Sequence, residues 1–249
     1  MPTRKYKTPP IEEALVEFRF QSDAEWDLTV PGRLALHDKI KAIYNGGSRT
    51  MNLVETTINK EDGQVASVAF GESLSRVQLL SNEASRLLTV GKDVLSVNTL
   101  RPYDKWELFR VRVSDALAAY FDTAKPIGVA RVGVRYVNRL SIPAASVNPT
   151  AYIRFSLPSP EGIPNKTSAF ISRTEYLYDD NVKLVLHIAS LDAPPKECAF
   201  LLDLDVIQAF PEPVDIGTTL RVVNDLHDRE NKAFEALITD KSREQFDAN

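Results

Sequence analysis

The stretch that most constrains this chain is Arg131-Val132-Gly133-Val134-Arg135-Tyr136-Val137-Asn138-Arg139, because it repeats every second residue and its two sides differ. A strand sends successive side chains to opposite faces, so Arg131, Gly133, Arg135, Val137 and Arg139 share one side. Val132, Val134, Tyr136, Asn138 and Leu140 occupy the other. The first side carries three guanidiniums in a row, which repel one another unless something negative meets them. Ala14 to Phe20 repeats the pattern, with Ala14, Val16, Phe18 and Phe20 forming an apolar face against Leu15, Glu17 and Arg19.

Elsewhere the spacing of apolar residues is helical. Pro31 to Tyr44 carries Leu34, Leu36, Ile40 and Ile43 and stops at Asn45-Gly46-Gly47, which predicts one helix. Asp104 stands in the N-cap position of a second, whose stripe is Trp106, Phe109, Val113, Leu117, Tyr120 and Phe121 and which Pro126 closes. Asp215 to about Phe246 reads as one long closing helix, burying Leu220, Val223, Leu226, Phe234, Leu237 and Ile238.

Between the helices, Met51 to Leu100 breaks into short β-like runs at Asn59-Lys60-Glu61-Asp62-Gly63, Ser81-Asn82-Glu83 and Gly91-Lys92-Asp93, an antiparallel meander. Pro143 to Pro164 is a polar connection with room for one short helix. Ser168 to Tyr178 and Val182 to Ser190 form a hairpin around Asp179-Asp180-Asn181, and a strand follows at Ala199 to Phe210. This order predicts an α+β fold in a single domain, 1–249: an antiparallel sheet of two similar halves, 9–125 and 126–249, wrapped against long amphipathic helices in a helix-grip or saddle-like arrangement.

Composition narrows the partners. The 30 Lys and Arg against 34 Asp and Glu give a net charge of -4, which argues against a dedicated nucleic-acid binder, since phosphate neutralisation needs clustered bases. No apolar run is long enough to span a membrane, and the basic start Arg4-Lys5-Tyr6-Lys7 runs into Pro9, Pro10, Glu12 and Glu13 rather than a signal-peptide core. The single cysteine, Cys198, sits in an apolar run as a small buried hydrophobe, so a reducing cytoplasm is expected.

The chain lacks the phosphate-cradling, dinucleotide, His-Glu-x-x-His, Cys-x-x-Cys and Gly-x-Ser-x-Gly motifs, so no catalytic residue, metal or cofactor is assigned. Its three histidines are His37, His187 and His227. His187 reads as an ordinary strand-face residue, and His227, in Asp225-Leu226-His227-Asp228, falls on the solvated side of the last helix. Asp203 and Asp205 share a strand face, as a charge pair for basic neighbours or as a hydrolytic or metal-binding pair. The candidate residues for an anion or partner are Arg131, Arg135, Arg139 and Arg19. Their candidate acidic partners within the chain are Glu17, Glu175, Asp203 and Asp205. Internal pairing is the expected arrangement, with a phosphate, nucleotide or acidic protein surface as the alternative. Arg135, central on its strand, is expected to be structural, and Arg139, nearer the strand end, more open to a ligand.

Four segments carry a resemblance: Pro9-Pro10-Ile11-Glu12-Glu13-Ala14-Leu15-Val16-Glu17-Phe18-Arg19-Phe20, Leu95-Ser96-Val97-Asn98, the Arg131 to Arg139 strand, and Phe234-Glu235-Ala236-Leu237-Ile238-Thr239-Asp240. Together they resemble a sporadically distributed prokaryotic family of similar length, defined by a sequence profile and without an assigned function. The resemblance implies a stand-alone bacterial or archaeal cytoplasmic protein from mobile-element or defence-related gene neighbourhoods, and it carries over no catalytic residues. With no catalytic motif in the chain, the first functional expectation is a non-enzymatic binding or regulatory protein with a protein or anionic partner. The second is a small-molecule-binding or hydrolytic helix-grip domain, with a cavity between sheet and last helix lined by Tyr176, Tyr178 and Trp106. The third is nucleic-acid binding through the arginine strand.

Overall fold

Ala14, Val16 and Phe18 are fully buried, and so are Val132 and Val134. Their strands, β1 (Ile11–Gln21) and β8 (Gly128–Ile142), lie side by side with Val16 opposite Val134 and Phe18 opposite Val132. The computed structural model describes residues 4–22, 26–53, 56–61, 64–70, 74–156, 160–164 and 167–247. Around the central pair it builds a nine-stranded antiparallel sheet. On the β1 side stand β7 (Val94–Leu100), β6 (Arg86–Val90), β5 (Leu74–Leu80) and β2 (Ser48–Leu53). On the β8 side stand β11 (Cys198–Val214), β10 (Lys183–Leu191) and β9 (Ile171–Leu177). The meander expected over Met51 to Leu100 is interrupted: β3 (Thr56–Glu61) and β4 (Gln64–Phe70) pair only with each other, as a separate hairpin. Asn59, Lys60 and Glu61 of the first turn cluster belong to β3, while Asp62 and Gly63 lie outside the described residues.

The two long helices, α3 (Trp106–Ala124) and α4 (Ile216–Leu237), pack on the same sheet face, α3 against β7 and α4 against β8 and β11. Phe109, Val113 and Leu117 of α3 are fully buried, as the stripe predicted. The helix expected over 31–44 is instead two short ones, α1 (Val30–Leu36) and α2 (Asp38–Lys41). They are split at His37, whose backbone is extended and whose side chain accepts a hydrogen bond from the Lys39 amide at 3.2 Å, capping α2. Past α2 the chain runs flush against the β5–β6 turn, so that a Cβ on Gly46 would lie 2.2 Å from the Ser81 carbonyl oxygen. Glycine is required there for space.

The closing helix is also interrupted. Ile238 is fully buried in extended conformation and bridges Ile153, and the chain resumes as α5 (Asp240–Asp247). A buried apolar residue that pairs across to another segment outweighs one more turn of helix. Cys198 is half-buried at the start of β11, not enclosed as expected.

Asp104 does not cap α3. The N-cap is Lys105, with no side-chain cap, and Asp104 accepts two bonds from the Arg112 guanidinium, at 2.7 and 2.8 Å. Arg112 is 7% exposed and also donates to Thr99 at 2.7 Å, tying the first turns of α3 to β7. A lost N-cap costs about 1 kcal/mol, whereas a buried cation stripped of its carboxylate costs about 3–5 kcal/mol. Asp104→Ala is therefore expected to lose roughly 3 kcal/mol in equilibrium urea unfolding. A loss of about 1 kcal/mol or less would show that Arg112 does not depend on it.

Candidate functional site

The three arginines of β8 project from the sheet face opposite the helices, and each meets a partner in the chain. Arg131 donates to Glu17 at 3.0 Å, and Arg19 donates to the same carboxylate oxygen at 3.0 Å. Arg135 forms a bidentate pair with Asp203, both bonds 2.7 Å, and His187 approaches the same carboxylate at 3.3 Å. Arg139 donates to the Ser141 hydroxyl and the Asp192 carbonyl, both at 3.2 Å, with Glu197 at 3.9 Å. Glu175 does not reach the arginine strand. It sits two strands beyond β11 and pairs with Arg173 and Lys183.

The register explains the arrangement. β8 lies between β1 and β11, with Gly133 opposite Glu17 and Ile207, and Arg135 opposite Asp205, so carboxylates fall diagonally between guanidiniums. Asp205 lies over Gly133, where a Cβ would come 3.3 Å from its carboxylate oxygen. It makes no hydrogen bond or ion pair with a described residue, and burial pushes its acid up to about 6, with Arg131 and Arg135 opposing the shift. Arg139 is no more open than Arg135: their side chains are 29% and 39% exposed. Arg135→Ala leaves Asp203, 4% exposed, with His187 alone, and is expected to cost about 2–4 kcal/mol. Arg139→Ala, whose neutral partners are accessible to water, is expected to cost about 1 kcal/mol. Paired thermal melts check the order, and a larger loss for Arg139→Ala would reverse it.

The other face holds a cavity of about 400 Å³ between α4, the start of α3, β8 and the N-terminal segment. The N-terminal segment closes one wall. Its Thr8 amide bonds the Phe246 carbonyl at 2.9 Å, Tyr6 donates to Glu235 at 2.5 Å, and Arg4 pairs with Asp247 at 2.6 Å. Inside, Trp106 stacks on His227 with ring centroids 3.8 Å apart. The Tyr136 hydroxyl lies 3.1 Å from His227 Nδ1 and 2.9 Å from the Tyr103 hydroxyl. Burial lowers His227 to about 4 and raises both phenols, so the imidazole and both hydroxyls are neutral at pH 7. One donor order satisfies all of them. Asn231 donates to Nε2 at 2.9 Å, Nδ1–H donates to Tyr136, and Tyr136 donates to Tyr103, leaving the Tyr103 proton as the open end of the chain.

Beside this chain lies Glu230, only 3% exposed, lining the cavity. It has no hydrogen bond or ion pair with any described residue, and burial raises it well above the usual carboxylate range. In its protonated form, which burial favours, a carboxyl group facing the cavity presents a donor and an acceptor side by side.

Of the cavity residues expected from sequence, Trp106 is present, but Tyr176 and Tyr178 are elsewhere: Tyr176 is half-exposed on β9, and Tyr178 lies under the Arg229 guanidinium. His227 is inside, contrary to the solvated position inferred from its aspartate neighbours, because helical spacing governs which side is buried. Val223, Leu226, His227, Glu230 and Phe234 form one stripe of α4, and all are buried. A glutamate and a histidine at i and i+3 within an apolar stripe were the available signal.

Compared with known proteins, the chain matches no family model and no curated protein.

His227 titrates near 6.5 when unfolded and about 4 when folded, so the stability present above pH 6.5 is lost as pH falls towards 4. The loss amounts to about 3 kcal/mol. His227→Gln removes it, and the difference in unfolding free energy between wild type and variant should narrow by about that amount between pH 7 and pH 4. Urea unfolding at both pH values tests this, and a constant difference would place the imidazole in water.

Proposed function

We propose that this chain is a non-enzymatic protein that binds a small neutral organic molecule in the cavity between α4 and the sheet. The observation that carries the reading is Glu230. A carboxyl group this deeply buried, without a hydrogen bond to a described residue, is costly, and buried polar groups in native proteins are almost always paired. A ligand that completes its donor and acceptor would remove that deficit. The complementary chemistry is a flat group with N–H beside C=O, such as an amide or a nucleobase edge, set among the aromatic walls of Trp106, Tyr103 and Tyr136. The cavity volume suits a molecule of that size.

The proposal takes the fold as a helix grip, with the last long helix closing a cavity over the sheet. It also takes the sheet as two similar halves. Outward from the centre, β1, β7, β6 and β5 on one side correspond to β8, β11, β10 and β9 on the other, and each set is associated with one long helix, α3 or α4. A pocket at the meeting of the halves fits a binding or regulatory role. The arginine strand supports no nucleic-acid reading, since its guanidiniums are already engaged by Glu17, Asp203 and the Asp192 carbonyl.

Trp106 and Trp26 are the two tryptophans, so a Trp26→Phe background makes intrinsic fluorescence report on the cavity. In that background a panel of nucleobases and aromatic amides is titrated while thermal stability is followed. At least one member is expected to change Trp106 emission and, near one hundred times its dissociation constant, to add about 2.7 kcal/mol of stability. Glu230→Leu should raise the stability of the free protein, because it removes an uncompensated polar group, and should abolish the response. A panel without effect, or an unchanged response in Glu230→Leu, would overturn the reading.

A further inference from the structure

Strand β9 is one edge of the nine-stranded sheet, and six of its seven residues are exposed. Ile171 and Leu177 are 82% and 75% exposed. Soluble proteins usually blunt such an edge with proline, a bulge, inward charges or a covering element. β9 contains no proline, and its ladder with β10 has no register shift.

The phase of that ladder shows which backbone groups are open. Tyr178 N–H bonds the Val182 carbonyl, and Ser190 N–H bonds the Phe170 carbonyl, so even-numbered residues of this stretch turn their backbone groups towards β10. Ile171, Arg173, Glu175 and Leu177 therefore direct their N–H and C=O groups outward.

We propose that β9 pairs antiparallel with β9 of a second copy, about a two-fold axis passing beside Thr174, so that the two sheets become continuous. In that register Arg173 faces the partner's Glu175, and Ile171 faces the partner's Leu177. Both charges and both exposed apolar side chains thus find complements in the same sequence, with about eight backbone hydrogen bonds. Sliding the pairing one step along the ladder sets Arg173 against the partner's Arg173, and sliding it the other way sets Glu175 against the partner's Glu175. Like charges directly opposite are unfavourable, so the pattern selects one register and a closed pair. This self-complementarity identifies the occupant as a second copy rather than an unrelated strand.

The chain should sediment at twice its 27.8 kDa mass at tens of micromolar and shift towards monomer on dilution. Arg173→Glu should give a monomer, and Arg173→Glu combined with Glu175→Arg should restore the dimer. Glu175→Pro removes an outward N–H and no bond to β10, so it should give a monomer with near-native melting. The axis itself is read by cross-linking. Cα atoms of a non-hydrogen-bonded pair stand about 4.5 Å apart, within disulfide range, so Thr174→Cys should form a dimer on mild oxidation. Ser172→Cys, opposite the partner's Tyr176, should not. A wild-type monomer at 100-fold higher concentration, a dimer that survives both single variants, or an open ladder of larger species would overturn the proposal.

Discussion

The antiparallel pairing of β1 with β8 is the contact on which the rest of the structure depends. It places Val16 against Val134 and Phe18 against Val132 on one face, seeding the core that α3 and α4 cover. On the opposite face the same register brings Glu17 within reach of Arg131. Because side chains alternate along a strand, a slip of one residue would turn the arginines into the core and the valines into water. The charged row is thus part of what fixes the register: three guanidiniums on β8 are stable where β1 and β11 deliver carboxylates, and the segment after β10 a carbonyl, between them.

How much of this was readable in sequence follows the range of the forces involved. Strands with one apolar and one charged face announce themselves within a few residues, and β1, β8 and β10 appear close to where alternation put them. The helix stripe of Phe109, Val113 and Leu117 is equally local. The breaks are not. His37 interrupts a good helical pattern because its side chain caps the next turn, and Ile238 leaves the helix to bridge Ile153, a residue 85 positions away in the chain. Asp104 looks like a cap by position, yet its partner Arg112 lies two turns on and is buried by β7. Local propensity is worth about 1 kcal/mol at such points, and a buried pairing can outweigh it.

The candidate pocket was legible only in outline. Trp106, expected to line a cavity under the last helix, does line one, but the amphipathic Tyr176 and Tyr178 sit on or beside β9, an edge strand away from it. His227 and Glu230 were concealed by charged neighbours in sequence, Asp225, Asp228 and Arg229, that turn to the solvent side of α4. What places His227 and Glu230 in the interior is their spacing from Val223, Leu226 and Phe234, which a reading weighted towards residue type overlooks.

The two faces of the sheet therefore differ in what they leave unsatisfied. On the open face the sequence supplies an internal partner for every arginine of the central strand, Arg135 holding Asp203 in a bidentate pair. An added anion there would meet a charge already half neutralised by a carboxylate at 2.7 Å. On the helix face the Asn231, His227, Tyr136 and Tyr103 chain is satisfied from one end to the other and stops at the cavity, beside a carboxyl group with no partner among the described residues. Hydrogen bonding in a low-dielectric interior strengthens along such a chain, so the terminal Tyr103 proton and the Glu230 carboxyl are the groups with most to gain from an incoming ligand. The site with unmet demand, rather than the site with most charge, is where binding has the greater driving force.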